Sequence, residues 1–287
     1  MSLATPIAAA ASAEGSAMER SRARRSDGRL RLFRNRLLAV ALLLLAWEAA
    51  GGGFGERFAS VNTIVVAPPS LALRELIDYA LSGLLLTDIQ STFSAAFLGL
   101  ALGFAGGAVM GIIFGYWKAF AETFEPIVFA LNSLPRVAIA PLLLMWLGLG
   151  LASKVAVSFF SVFFVVFFNA YMGTRAVDPD LVRAVTAIGA TKFQVTRMVV
   201  MPSVASWIFA AMRTAISYAL TSTITAEFVG STAGLGYRLQ VAAGLLDTKR
   251  VFAILLVLMV LGGLLLEINK LVENRVLRWR PKSQLQS

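Results

Sequence analysis

The feature of this sequence that most restricts its fold is a series of long apolar runs with almost no charge. Residues 94–117 contain no Asp, Glu, Lys or Arg, and about 20 apolar residues in a helix suffice to cross the hydrocarbon core of a bilayer. Similar runs occupy residues 32–50, 126–151, 155–173, 207–227 and 252–268. The chain is 58% hydrophobic and 15% charged, whereas soluble domains average about 45–50% and about 25%. We therefore predict an all-α, polytopic membrane protein with about six transmembrane helices.

The residue types that the chain lacks exclude several classes of function. Its 287 residues include no cysteine and no histidine, which excludes thiolate or imidazole metal sites and Ser–His or Cys–His catalytic pairs. No lysine follows a glycine, which excludes the GxxxxGK(S/T) loop that binds nucleotide phosphates. Asp178 and Asp180 are spaced like a metal pair, but "VDPD" is more typical of a helix cap. We predict no enzymatic activity, no metal site and no cofactor in this chain.

The distribution of basic residues predicts the orientation in the membrane. With six spans, both termini lie on one side, and that side collects 18 of the 26 Lys and Arg residues, against 6 on the other and 2 within spans. Because cytoplasmic loops are enriched in Lys and Arg, we expect both termini and a loop at 174–203 in the cytoplasm. The same distribution explains the net charge of +10 without nucleic acid. A cleaved signal peptide is the alternative for the first run.

The predicted spans divide the chain into four regions. Glycine and proline clusters in "GGGFGERF" and "VAPPS" end the first helix, and the apolar spacing over 70–85 predicts a short amphipathic helix. The regions are a disordered cytoplasmic tail at 1–28, a first transmembrane helix plus a periplasmic amphipathic segment at 29–90, a core membrane domain at 91–273 and a cytoplasmic tail at 274–287.

Glycine recurs at every fourth position of the second apolar run. The members are Gly99, Gly103, Gly107, Gly111 and Gly115. They share one helix face, on which the backbone of a neighbouring helix can approach closely. The pattern predicts a close helix contact, either within one chain or between two copies. Ordinary helix packing is the interpretation that we favour, since faces of small residues are common in membrane helices.

A long basic stretch, "AVTAIGATKFQVTRMVVMP" at residues 184–202, separates the fourth and fifth apolar runs. Gly189 permits a turn after a first helical piece, and Pro202 is suited to the first turn of the next helix. The apolar side of such a unit can bind a groove of a partner protein or rest on lipid headgroups. The residues alone leave both alternatives open.

The same stretch resembles the cytoplasmic coupling loop of the permease subunits of ATP-binding-cassette (ABC) importers. The pattern of that family is Glu-Ala-Ala, three residues, Gly, nine residues, Ile, one residue, Leu-Pro. The residues at the matching positions are Arg183, Ala184, Val185, Gly189, Val199, Met201 and Pro202. Arg183 replaces the Glu, and Val185 replaces the second Ala. The stretches "LNSLPRVAIAPLLLMWLGLGLASKV", "VDPDLVRAVTAIGA" and "TAEFVGSTAGLGY" resemble the nitrate, sulfonate and taurine branch of these permeases.

The resemblance implies a type I ABC importer permease fold in a bacterial inner membrane, with a core permease domain at 91–273 and a coupling loop at 174–203. It implies import of a small anion such as a sulfonate, taurine or nitrate. The implied partners are a cytoplasmic ATP-binding-cassette ATPase dimer that binds ATP and Mg, a second permease copy in a homodimer, a periplasmic or other extracytoplasmic solute-binding protein, and membrane lipids. The residues implied in coupling to the ATPase are Arg183, Ala184, Val185, Gly189, Ala190, Val199, Met201 and Pro202.

Polar residues inside two spans are the candidates for a translocation path. Arg136 lies well inside the third run, where an ionised side chain costs about 2.5–3.5 kcal/mol unless it faces water or a partner. It can attract an anionic solute. In the alternative interpretation, the helix is broken at Pro135, and Arg136 lies near an interface or pairs with Glu122 or Glu125. The other candidates are Arg213, Thr221, Ser222, Thr223 and Thr225. The arginine can instead extend to the interface, and the hydroxyls can bond to carbonyls of their own helix.

The third stretch that carries the resemblance, "TAEFVGSTAGLGY", implies an outer gate. Glu227, Gly234 and Gly236 belong to it and are expected to order an outer gate. A carboxylate there would repel an anion rather than bind it.

Two alternatives remain for the function. Within the same family, the solute can be a thiamine precursor or an aromatic acid. From another class, the chain can be a secondary carrier driven by an ion gradient. Such carriers are built from repeats with broken helices and contain acids within the membrane, whereas this sequence shows no clear internal duplication and its acids cluster at the span ends.

Overall fold

The structure is a computed structural model that describes residues 34–35, 38–53 and 65–276, with the backbone alone for 272–274 and 276. The predicted tail at 1–28 and most of the one at 274–287 lie outside the described residues. The described residues fall into two compact units, which meet in sequence at Leu71. The region boundaries at residues 28, 90 and 273 stay a prediction.

The described residues form helices and connecting turns, without a strand. The helices are α1 (Leu38–Ala50), α2 (Pro69–Leu81), α3 (Leu84–Tyr116), α4 (Lys118–Asn132), α5 (Arg136–Leu147), α6 (Leu151–Arg175), α7 (Pro179–Ala187), α8 (Lys192–Val195), α9 (Met201–Val229), α10 (Leu235–Gly244) and α11 (Thr248–Val276). A π-helical turn (Thr196–Val200) joins α8 to α9. The helix predicted at 70–85 is confirmed as α2.

In the first unit, the chain that follows α1 is held against the end of that helix. The indole Nε1 of Trp47 donates a 3.0 Å hydrogen bond to the carbonyl of Ala67. The hydroxyl of Ser70 donates a 2.6 Å hydrogen bond to Glu48 Oε1. As described, α1 is about 20 Å long, which is less than the hydrocarbon core of about 30 Å. The span predicted at 32–50 is thus described only in part.

Four helices of the described part are long and apolar enough to cross a bilayer. They are α3, α6, the continuous helix Lys192–Val229 and the stretch Thr248–Leu271 of α11. The spans predicted at 94–117, 155–173, 207–227 and 252–268 are confirmed, although the helices extend beyond those ranges. Half of the most apolar stretch of α6 is buried, but only 17% of that of α11. Within the second unit, α6 is therefore central and α11 peripheral.

The predicted glycine face of α3 packs against α6. The members Gly99, Gly103, Gly107 and Gly111 are buried. A Cβ atom on Gly103 would lie 2.8 Å from the carbonyl oxygen of Phe159, and a Cβ atom on Gly107 would lie 2.5 Å from that of Phe163. Only glycine permits this approach of two helix backbones. The repeat is therefore an interface within one chain.

The third predicted span, 126–151, is wrong as a single helix, and the alternative of a break at Pro135 is confirmed. α4 and α5 meet at an angle of 91°. Pro135 between them has extended backbone angles, φ −61° and ψ 121°. A proline lacks the N–H that a continuing helix needs and disfavours helical angles in the preceding residue, so the helix ends before it. With the bent pair counted as one crossing, the described residues contain up to five spans.

The first half of the predicted loop 174–203 contains the helix α7. Asp178 accepts a 2.8 Å hydrogen bond from the backbone N–H of Asp180, and Pro179 occupies the first helical position. The cap predicted from "VDPD" is confirmed. Gly189 follows α7 with φ +91°, a conformation in which glycine carries little strain. The turn predicted at this glycine is also confirmed.

The second half of the predicted loop is helical and continuous with the helix of the fifth span. The bounds 174–203 of the coupling loop stay a prediction. Thr191 and Gln194 form a capping box, in which each side chain bonds to the backbone N–H of the other residue. The helix therefore begins at Lys192 and continues to Val229. The π-helical turn precedes Pro202, and such a turn is one way for a helix to accommodate a proline that lacks an N–H.

Candidate functional site

The break between α4 and α5 forms one side of a cavity of about 370 Å³, and α6 and α9 form the others. Its lining residues are Asn132, Leu134, Pro135, Arg136, Val137, Val157, Ser161, Tyr218, Thr221, Ser222 and Thr225. Four of them come from α9, namely Tyr218, Thr221, Ser222 and Thr225. Their spacings of three, one and three residues place them on one helix face. We call these four residues the hydroxyl face. The volume is sufficient for a small solute.

Arg136 is the one charged residue among those that line the cavity. It is half-buried and begins α5. Its guanidinium carbon lies 4.6 Å from the ring centroid of Tyr218, within the range of a cation–π interaction. The acidic partners considered from the sequence bind elsewhere: Glu122 pairs with Lys118, and Glu125 accepts a hydrogen bond from Tyr171. Among the described residues, no carboxylate forms an ion pair with Arg136.

The electrostatic field in the cavity favours the binding of a negatively charged group. The backbone N–H groups in the first turn of α5 and the guanidinium of Arg136 are both positive, and α5 begins at the cavity. Ser222 and Thr225 donate to carbonyls of their own helix, as the alternative from the sequence expected. The hydroxyl of Thr221 makes no hydrogen bond within the described part of the chain, so it can donate to a solute.

The predicted path residues separate into two groups. Arg136, Thr221, Ser222 and Thr225 line the cavity. Thr223 is buried away from it and donates to the carbonyl of Ala219 at 2.8 Å. Arg213 is exposed and lies outside the lining. Sequence reasoning missed Tyr218, which its spacing from Thr221 and Ser222 could have revealed, and it missed Ser161, for which no local signal exists.

A second polar centre lies at the junction of α3, α6, α9 and α10. We call it the carboxylate cluster, and it consists of Asp88, Thr92, Lys154, Glu227 and Arg238. The carboxylate of Glu227, 1% exposed, accepts hydrogen bonds from Lys154 Nζ at 3.0 Å, from the hydroxyl of Thr92 and from the N–H of Gly236 at 2.9 Å. Lys154 is 3% exposed. A buried ion pair is tolerated only with such additional hydrogen bonds.

Asp88 forms the other half of the carboxylate cluster. It accepts hydrogen bonds from the N–H of Gly234 at 2.8 Å, from Arg238 Nε at 2.7 Å and from the Tyr79 hydroxyl at 2.6 Å. Burial, then the hydrogen bond to Asp88 and its charge, raise the pKa of Tyr79 above its ordinary value. Partial burial acts to lower the pKa of Arg238, but the hydrogen bond and charge of Asp88 outweigh it and raise that pKa. The phenol thus stays protonated and the guanidinium stays charged.

The three residues predicted for an outer gate come together in this cluster. Gly234 has φ +117°, and a Cβ atom there would collide with the carboxylate of Glu227. A Cβ atom on Gly236 would lie 2.5 Å from the carbonyl oxygen of Ile224. Both positions therefore require glycine. Sequence reasoning missed Lys154, Asp88, Thr92 and Arg238 as their partners.

The residues predicted for coupling lie at the other end of α3. Tyr116, at the end of that helix, donates a 2.9 Å hydrogen bond to the hydroxyl of Thr196, and Asp88 is 28 residues, or about 42 Å, away along α3. Arg183 pairs with Asp180 at 2.7 Å. Of the residues predicted for coupling, the exposed ones are Arg183, Ala184, Gly189, Met201 and Pro202. Val185 and Ala190 are half-buried, and Val199 is buried.

Exposed apolar side chains surround these coupling positions. Ile188 is 85% exposed, Phe193 72% and Met198 68%. Large apolar residues grouped in this way on a polar segment are typical of a surface that binds another protein. Within the described residues, no group of three or more acidic side chains is placed to hold a metal ion.

Comparison with known proteins identifies relatives of the chain. Residues 103–278 match the family described as "Binding-protein-dependent transport system inner membrane component". The putative aliphatic sulfonates transport permease protein SsuC of Bacillus subtilis is 28% identical over 90% of this chain and 92% of its own length. The riboflavin transport system permease protein RibX of Chloroflexus aurantiacus is 28% identical over 84% of this chain and 88% of its own.

A solved structure shares the fold. A chain of the MetNI methionine ABC transporter, in an inward-facing conformation, aligns with a TM-score of 0.57 at 19% identity. The alignment covers 68% of this chain and 95% of that one.

Proposed function

Because the chain belongs to the family of binding-protein-dependent transport system inner membrane components and is thus the membrane-embedded permease subunit of an ABC importer, we propose that it imports a small oxyanion such as a sulfonate, taurine or nitrate. Subunits of this family are not enzymes, and a separate subunit hydrolyses ATP. This family assignment argues against the alternative function, a secondary carrier driven by an ion gradient.

The observation that supports an anion is the placement of Arg136. Its guanidinium lines the cavity at the broken span and has no acidic partner among the described residues. A cation left unpaired within a span is costly unless it faces water or an anion. The first turn of α5 and the free hydroxyl of Thr221 supply further donors, which are the groups that an oxyanion requires.

A heteroaromatic solute is the second candidate, since RibX is named for riboflavin and the ring of Tyr218 lines the cavity. The guanidinium of Arg136, however, covers one face of that ring at 4.6 Å. An aromatic solute would have to displace a cation–π contact to stack there, whereas an oxyanion can bind the same guanidinium without displacing it. The geometry thus favours the anion.

Replacing Arg136 by glutamine is expected to lower ATP-dependent anion uptake at least about tenfold. A hydrogen bond to a charged group contributes about 1.5–3 kcal/mol, and each 1.4 kcal/mol is a factor of ten. The measurement is uptake of labelled sulfonate, taurine and nitrate by the assembled importer in liposomes. Arg213→Gln is the matched control, because Arg213 is an arginine of a span outside the lining. Equal uptake by Arg136→Gln and the unmodified protein would remove Arg136 from the path.

The proposed assembly contains two ATPase subunits, a second copy of this chain and an extracytoplasmic binding protein. The resemblance of residues 183–202 to the coupling loop supports contact with the ATPase, as do the exposed Ile188 and Phe193. The excess of basic residues supports a cytoplasmic location for this segment. ATP-driven closure of the ATPase pair would displace α7 and shift the helices between outward and inward openings.

Replacing Gly189 by valine is expected to abolish co-purification of the ATPase and ATP-dependent uptake. With φ +91°, the position disfavours a β-branched residue and forces the turn to change. No atom lies within 4 Å of a Cβ atom there, so a collision cannot explain the loss.

Gly148→Val is the control for this variant. Gly148 has φ +78° and equally open surroundings, but it lies between α5 and α6. If both variants keep the ATPase, the segment around Gly189 is not the coupling surface.

A further inference from the structure

A second crevice, which shares Thr221 with the cavity of Arg136, runs along the peripheral helix α11. It consists of two adjoining cavities of about 210 and 250 Å³ between α3, α9 and α11, and both are lined by Phe93, Ile216 and Leu220. Its residues on α11 extend from Leu258 to Asn269. None of the lining residues is charged, so the crevice does not suit an anionic solute.

One end of the crevice holds a polar group without a partner. Asn269 is 7% exposed and lines the larger cavity. Its Nδ2 makes no hydrogen bond to any described residue. A buried donor is almost always satisfied in a folded protein, so a molecule that carries an acceptor is expected to fill this end of the crevice.

The depth of Asn269 in the membrane indicates which acceptor can bond to its Nδ2. The uncharged run of α11 extends from Val251 to Leu266, and Glu267 and Lys270 just beyond it form an exposed ion pair. Asn269 therefore lies at the boundary between the hydrocarbon and the headgroups. In a phospholipid, the ester carbonyls of the glycerol backbone lie at this boundary.

The length of the crevice fits an acyl chain. From Leu258 to Asn269, α11 rises about 16 Å, which is about half of the hydrocarbon thickness of about 30 Å, or one leaflet. Only 17% of the apolar stretch of α11 is buried, so this helix borders the lipid.

From these observations we propose that the crevice is a phospholipid site. One acyl chain lies between α3, α9 and α11, and its ester carbonyl accepts a hydrogen bond from Asn269 Nδ2. The proposal does not depend on which solute the cavity of Arg136 binds.

Two adjacent glycines of α11 provide the test. Gly262 lines the crevice and Gly263 does not, and no atom lies within 4 Å of a Cβ atom on either. The full chain is purified in detergent from membranes that contain phosphatidylethanolamine and phosphatidylglycerol, and bound lipids are counted by native mass spectrometry. We expect Gly262→Phe to retain one phospholipid per chain fewer than Gly263→Phe and the unmodified protein.

Asn269→Leu is the second variant, and it removes no hydrogen bond to a described residue. We expect it to release the bound phospholipid at a several-fold lower detergent concentration. Equal lipid counts and equal release in all variants would overturn the proposal. A change in the number of chains per particle for Gly262→Phe, with unchanged lipid, would also overturn it and would identify the crevice as a contact between two copies.

Discussion

Replacing Gly107 by leucine is expected to eliminate the folded protein from the membrane. A Cβ atom at this position would lie 2.5 Å from the carbonyl oxygen of Phe163 and 3.0 Å from the backbone nitrogen of Phe167. Backbone atoms of a helix cannot rotate away as a side chain can, so α3 and α6 would have to separate. Overpacking alone costs about 1–3 kcal/mol, and the separated pair also loses the close contact that holds helices together in lipid.

The adjacent Gly106 is the matched control for this variant. A Cβ atom there would make ordinary contacts of 3.5 Å with the rings of Phe159 and Phe163. Gly106→Leu is therefore expected to accumulate near the level of the unmodified protein, while Gly107→Leu is degraded or aggregates. Fluorescence-detected size-exclusion chromatography of a tagged chain measures both. Similar monodisperse peaks for the two variants would contradict the described interface.

Replacing Lys154 by methionine is expected to lower the free energy of unfolding by about 3–5 kcal/mol, because the carboxylate of Glu227 remains buried without its cation. The double replacement Lys154→Met with Glu227→Gln removes both charges and is expected to recover most of that loss. The measurement is thermal unfolding of the purified chain in detergent. The recovery distinguishes loss of an ion pair from loss of packing, since packing losses would add in the double variant.

The exposed pair of Lys118 and Glu122 is the control for this prediction. Their side chains are 86% and 66% exposed, and surface ion pairs contribute about 0–1 kcal/mol. Lys118→Met is therefore expected to change the stability little. A double variant at Lys154 and Glu227 that is as unstable as the sum of the two single variants would contradict the assigned role of the ion pair.

Most of the membrane-spanning helices could be predicted from the sequence, because a run of about 20 uncharged residues has few alternatives to a helix in lipid. The break at Pro135 between α4 and α5 was predicted only as the alternative to one continuous span. A proline within an apolar run can either kink a helix or end it, and packing decides between the two outcomes. The continuity of the helix from Lys192 past Pro202 was not predicted, because a proline is also typical of the first turn of a separate helix.

The candidate sites were less predictable, since they depend on contacts between distant parts of the sequence. Arg136 and three of the four predicted hydroxyl residues line one cavity, and a polar residue in an apolar run is a local signal for such a role. In the sequence, no local feature distinguishes Lys154 from other basic residues near the ends of spans. Its burial against Glu227, 73 residues away, follows only from the packing of α6 on α9.

The continuity of α9 has a mechanical consequence. From Met201 to Val229 it is one uninterrupted helix of 29 residues, about 44 Å long, that carries both the hydroxyl face and Glu227. A stiff rod transmits a rotation or an axial shift from its base to its tip almost undiminished. The hydroxyl face and the carboxylate of Glu227 therefore move together when α9 moves, and neither can be repositioned without the other.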